Sequence, residues 1–110
     1  MIRVRVRYTG WVQGVGFRAT ARSVAESAPI SGWVRNEPDG SVTLEAQGEG
    51  AAVEAYLAGV RDRLGRFVRT EKRVPVPMEA GERGFEITRL EGPPQGPGGT
   101  TPPSGRPARR

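Results

Sequence analysis

The sequence predicts an α+β fold, a mostly antiparallel sheet with two helices on one face, in the order βαββαβ with one short strand added at the end. Three observations carry this. Residues 2–8 alternate strictly between apolar and charged, "RNEPDGSV" joins two strand-like runs through a tight turn, and two stretches repeat apolar residues at helical spacing. Alternation marks a half-buried strand, and a period near 3.6 marks an amphipathic helix.

In the first strand Ile2, Val4, Val6 and Tyr8 share one face, and Arg3, Arg5 and Arg7 share the other. One face of an antiparallel sheet need not be dry, so these arginines are expected on an open, solvated face. Phe17, Ala21, Val24 and Ala28 then recur at helical spacing. A helix therefore begins just after Gly16, and Pro29 stops it. "SGWVRN" (31–36) is a second strand, with Trp33 expected in the core. "EPDG" supplies a turn, and Val42, Leu44 and Ala46 alternate along a third strand over 41–47. Val53, Tyr56, Leu57, Val60 and Leu64 mark a second amphipathic helix. Residues 68–76 read as a fourth strand and 84–88 as a short fifth, and no internal repeat is visible. A right-handed crossover, a hairpin and a second crossover give the split-βαβ, or ferredoxin-like, sandwich.

Composition bounds the function. A chain of 110 residues with 35% hydrophobic content supports one modest core. No apolar run is long enough to span a membrane, and "MIRVRVRY" has no signal-like apolar region, so a cytoplasmic protein is expected. With no cysteine and no histidine, disulfides, thiol chemistry and zinc or haem sites are not expected. The net charge is +5, of which +2 falls in residues 91–110 and +3 in residues 1–90. Sixteen of the seventeen basic residues are arginine, a bias that gene composition explains as readily as polyanion binding. The last twenty residues contain eleven Gly or Pro and no Val, Ile, Leu or aromatic residue. Such a segment cannot offset its ordering entropy by burial, so 91–110 is expected to be a disordered tail on a 1–90 domain.

"GWVQGVGFRAT" (10–20) lies between the first strand and the first helix. "GVGFRA" satisfies a dinucleotide-binding fingerprint, but that fold needs successive βαβ units, and here the second strand returns as a hairpin. Gly14 and Gly16 permit positive φ, which lets consecutive N–H groups of Gln13, Gly14, Val15, Gly16 and Phe17 line a concavity for an anion. The helix adds its positive N-terminal end, and Arg18 in its first turn can present a guanidinium fork to phosphate oxygens. Spacing alone leaves this open beside a glycine-rich corner with an incidental arginine. Asn36, taken alone, reads as a turn residue of the "NEPDG" hairpin.

Two motifs together resolve the ambiguity. "GWVQGVGFR" resembles the first signature of the acylphosphatase family and "GWVRNEPDGSV" (32–42) resembles its second, with likeness extending over residues 2–88 through "AQG" and "GFEI". The resemblance implies a metal-free, cofactor-free hydrolysis of the carboxyl–phosphate bond of small acyl phosphates on a ferredoxin-like fold. It assigns phosphate binding to the loop and Arg18, and the holding of the attacking water to Asn36. Ala28-Pro29 and "RDRLGRFVRTEKRVPVPM" depart from the family's usual helix exits. The chemistry agrees with the composition. A carboxylate leaving group needs no general acid, and phosphoryl transfer is helped chiefly by positioning and charge.

Two other classes share the topology. An RNA-binding module stacks bases on aromatics of the central strands, but the third strand has none and the first offers only Tyr8, so no specific nucleic acid is expected. A non-catalytic interaction module of the same family is the closer rival, and the intact Arg18 and Asn36 argue against it. The expected state is a monomer.

Overall fold

The computed structural model describes residues 1–89; the tail expected over 91–110 lies outside them. The elements run β1 (Ile2–Gly10), α1 (Phe17–Ala25), β2 (Ile30–Asn36), β3 (Val42–Gly48), α2 (Gly50–Leu64), β4 (Val68–Pro75) and β5 (Phe85–Ile87). The strands form one sheet in the order β4-β1-β3-β2-β5. β1 pairs antiparallel with β3 and β4, and β2 with β3, whereas β5 runs parallel to the outer edge of β2. This is the predicted ferredoxin-like sandwich, and the short terminal strand extends it by one edge.

Parity along each strand decides what is buried. Val4, Val6 and Tyr8 of β1, Val34 of β2, and Val42, Leu44 and Ala46 of β3 face the helices and are buried. Against them pack Phe17, Ala21 and Ala25 of α1 and Val53, Tyr56, Leu57, Val60 and Leu64 of α2. The Tyr8 and Phe17 rings meet at 4.9 Å between centroids, and the Tyr56 hydroxyl donates to the Ala21 carbonyl at 2.9 Å. The first contact ties the start of α1 to the sheet centre, and the second ties α2 to α1.

Three expectations change. Trp33 is not in the core. In the β2–β3 register it stands opposite Glu45 while Val34 stands opposite Leu44, so Trp33 points to the open face. There the Arg35 guanidinium lies 4.9 Å from its ring centroid. The strand offers a large apolar side chain on each face, and its alternation alone cannot say which face is covered. α1 ends at Ala25 rather than running to Pro29, and the Ala28 N–H closes a turn onto the Ala25 carbonyl at 3.0 Å. A residue preceding proline is disfavoured in the helical region, so the helix unwinds before reaching it.

The third change concerns Arg3, which is only 2% exposed. The β4–β5 connection crosses the open face: the Val76 N–H donates to the Arg3 carbonyl, and the Gln47 amide exchanges two hydrogen bonds with the Glu79 backbone. Beneath that segment Arg3 donates to Glu45 at 2.6 Å and to Glu82 at 2.7 Å. Arg5 and Arg7 remain half exposed, as expected, and pair with Glu45 and Asp39.

Candidate active site

The 11–16 loop carries the chain from β1 to α1 at one end of the sheet. Gly14 and Gly16 have φ of +82° and +78°, the left-handed conformation that the glycines were expected to supply. An added Cβ at either would meet nothing within 4 Å, so the loop's outer surface is open. Gly16 also serves as N-cap of α1, with no side-chain cap and no acidic residue in the first turn. Among the described residues, the N–H groups of residues 13–16 make no backbone hydrogen bond. With the first N–H groups of α1, which lack intrahelical acceptors, they form a run of free donors beside a positive helix end.

Arg18 and Asn36 reach the same place from different elements. Arg18 is the second residue of α1. Asn36 continues the parity of Val34, so it projects on the helix side just beyond the core. Both line a cavity of about 240 Å³ together with Gly14, Gly16 and Phe17. Val12, Ala19 and Ile87 complete its wall. No carboxylate lines it, and the one charged side chain is Arg18. Such a cavity suits an anion.

The remaining loop residues serve differently. The Gln13 amide donates to the carbonyls of Glu37 and Ser41 at 2.8 and 2.9 Å, tying the loop to the β2–β3 turn. Val15 packs against the core and Phe17 is buried in it, so any share these two take in anion binding belongs to their backbone N–H groups. The turn after Asn36 is closed by others: Asp39 accepts from the Ser41 N–H and hydroxyl at 2.9 and 2.6 Å, and the Glu37 N–H donates to the Ser41 carbonyl. None of these bonds uses the Asn36 amide, which leaves it available to the cavity. The Ser41 bonds, and then the Arg7 pairing, hold the Asp39 carboxyl down at about 2. Burial works to raise Glu37, but its hydrogen bonds, among them that from Arg35, bring it below the ordinary value. Glu37 turns toward Arg35, 2.9 Å away, and is not among the residues lining the Asn36 cavity.

Sequence reasoning missed Val12, Ala19 and Ile87. Ile87 arrives through the parallel pairing of β5 with β2, where it stands beside Val34. Nothing in a three-residue strand's own sequence says which edge it joins. A larger depression of about 470 Å³ on the open face carries Arg5, Arg7 and Arg35, but Glu37 and Asp39 line it too. Each of its arginines is already paired with a carboxylate, so size does not make it the better anion site. Among the described residues, no group of three or more Asp and Glu side chains converges as a metal site would require.

The family model described as Acylphosphatase matches residues 4–87. The chain belongs to the acylphosphatase family. It is 46% identical over 93 residues to the acylphosphatase of Oceanobacillus iheyensis, covering 83% of this chain and 97% of that one. The acylphosphatase of Clostridium acetobutylicum is 40% identical over 89 residues, covering 79% and 97%. Among solved structures, acylphosphatase from Bacillus subtilis superposes with a TM-score of 0.71 at 28% identity, covering 80% of this chain and 99% of that one. A region making up 12% of T. kodakarensis HypF shares the fold with 80% of this chain at 21% identity and a TM-score of 0.70. The enzyme is an acylphosphatase on an α+β scaffold, and no helix among the described residues is long and apolar enough to cross a membrane.

Proposed function

We propose that the 1–90 unit hydrolyses small acyl phosphates in the cytoplasm as a monomer, with Arg18 and the N–H groups of residues 13–17 holding the phosphoryl group and Asn36 holding the attacking water. The observation that carries this reading is the convergence of Arg18, Asn36 and the two left-handed glycines on one cavity free of carboxylates. The guanidinium fork and the free N–H groups match the geometry of phosphate oxygens and gain strength as charge spreads over them in the transition state. Asn36 offers an amide oxygen and an NH₂ group, which orient water without acting as a strong base.

In the reaction, the water oxygen forms a bond to phosphorus while the bond from phosphorus to the acyl oxygen breaks. The electron pair leaves on the carboxylate, and the water proton passes to a phosphoryl oxygen. A carboxylate leaves without protonation at neutral pH, so a cavity lined by one arginine and one amide has the groups the step requires. The test is hydrolysis of benzoyl phosphate in heavy-oxygen water, corrected for the spontaneous reaction. The label is expected in inorganic phosphate. Label in benzoate, or no acceleration by the protein, contradicts the reading.

A further inference from the structure

A second depression, of about 340 Å³, adjoins the phosphate cavity and shares Ala19 and Ile87 with it. Its other lining residues are Arg22, Ser23 and Glu26. Ala19, Arg22, Ser23 and Glu26 recur at i, i+3, i+4 and i+7, so they form one stripe along α1 with Ile87 of β5 facing its start. Ala19 leaves room over the helix, and Ile87, at 37% exposed, gives an apolar wall. Arg22 is exposed and, among the described residues, has no ion-pair partner, and neither does Glu26 one turn further on.

We propose that this depression is the acyl-group subsite and that Arg22 selects acyl phosphates whose acyl part carries a second carboxylate. The inference rests on the phosphate being held by Arg18 and the loop. With the phosphoryl group there, the acyl carbon lies over Ala19 and Ile87, and the acyl chain runs along α1. The helix advances roughly 1.5 Å per residue, so Arg22 stands about 4.5 Å along the axis from Ala19, within reach of a carboxylate a few bonds from the acyl carbon. Glu26, about 6 Å beyond Arg22 on the same scale, repels an anion that extends further. The stripe thus reads both the charge and the length of the acyl group.

The experiment compares kcat/KM for para-carboxybenzoyl phosphate and benzoyl phosphate in the wild type, Arg22→Gln and Arg22→Glu. The ratio within each protein cancels any general loss of folded protein, and comparing the ratios between proteins cancels the intrinsic reactivities of the two acyl phosphates. The wild-type ratio is expected to exceed that of Arg22→Gln roughly fivefold, the upper range for an exposed ion pair, and the excess should shrink as salt is added. Arg22→Glu should fall below Arg22→Gln. The same ratio in all three proteins overturns the subsite while leaving the phosphate site standing. If the wild type accelerates hydrolysis of neither acyl phosphate, the reading of the phosphate cavity fails, and the subsite fails with it.

Discussion

Asn36 sits two residues beyond Val34 on the face that β2 turns toward the helices, where the core has ended and the α1 N-terminus begins. A hydrophobic side chain there would extend the core by one layer, whereas an amide presents polar groups to the cavity beside Arg18. The turn that follows depends on Asp39 and Gln13, whose side chains bond to Ser41 and Glu37. Removing the Asn36 amide should therefore cost activity and not structure. Asn36→Ala is expected to lower kcat by roughly 10², the order found when one positioned donor is removed from a catalytic site. Inhibition by inorganic phosphate should change by only a few-fold, because the proposed role of Asn36 is to hold water and not the phosphoryl group. Thermal unfolding followed by circular dichroism should move little. A large fall in melting temperature with normal specific activity would return Asn36 to the hairpin.

At the scale of elements, the site is assembled by a short helix, a strand end and a three-residue edge strand, and the last of these depends on the connection beneath the sheet. Glu82 in that connection accepts from Arg3 at 2.7 Å and from the Ser31 hydroxyl at 2.7 Å. Burial works to raise its carboxyl, but the bonds from Arg3 and Ser31 prevail and bring it below the ordinary 4.5. Asp39, closing the β2–β3 turn, lies at about 2 against an ordinary 3.8. A carboxyl with a depressed folded-state pKa stabilises the protein above its unfolded value and ceases to do so as pH falls through its folded value. Stability measured as a urea midpoint should thus hold down to about pH 4.5 and decline steadily toward pH 2. Glu82→Gln should flatten part of that decline and lower the midpoint at neutral pH, since Arg3 is left buried with one carboxylate fewer. An identical pH dependence in the variant would show that the connection is held by other contacts.

Over the whole molecule, the fold was legible because β3 and α2 bury the apolar residues their periodicity singled out, and β1 buries all of its own but Ile2, which is partly covered. The loop motif was legible as far as its backbone, since Gly14 and Gly16 take the positive φ that their residue type permits and line one cavity with Arg18 and Asn36. What could not be read depended on long-range pairing. The face taken by Trp33 is set by its pairing with β3, the burial of Arg3 by Glu45 and Glu82, 42 and 79 residues away, and the arrival of Ile87 at the cavity by a strand too short to carry a signal. The distribution of titrating groups matters at this scale as well. The shifted carboxyls of Glu37, Asp39, Glu54 and Glu82 all move down, and burial pushes the Tyr8 and Tyr56 hydroxyls up, away from neutrality. With no histidine or cysteine in the chain, the catalysis proposed for Arg18, an amide and backbone N–H groups should not titrate between about pH 5 and 8. The direct test is kcat for benzoyl phosphate across that range in the wild type, Arg18→Lys and Arg18→Ala, each verified as folded. Turnover at saturating substrate should be nearly flat in the wild type, fall by about 10³ or more in Arg18→Ala, and recover only poorly in Arg18→Lys, whose point charge lacks the planar fork. Undiminished turnover in folded Arg18→Ala, or a bell-shaped wild-type profile, would contradict the account.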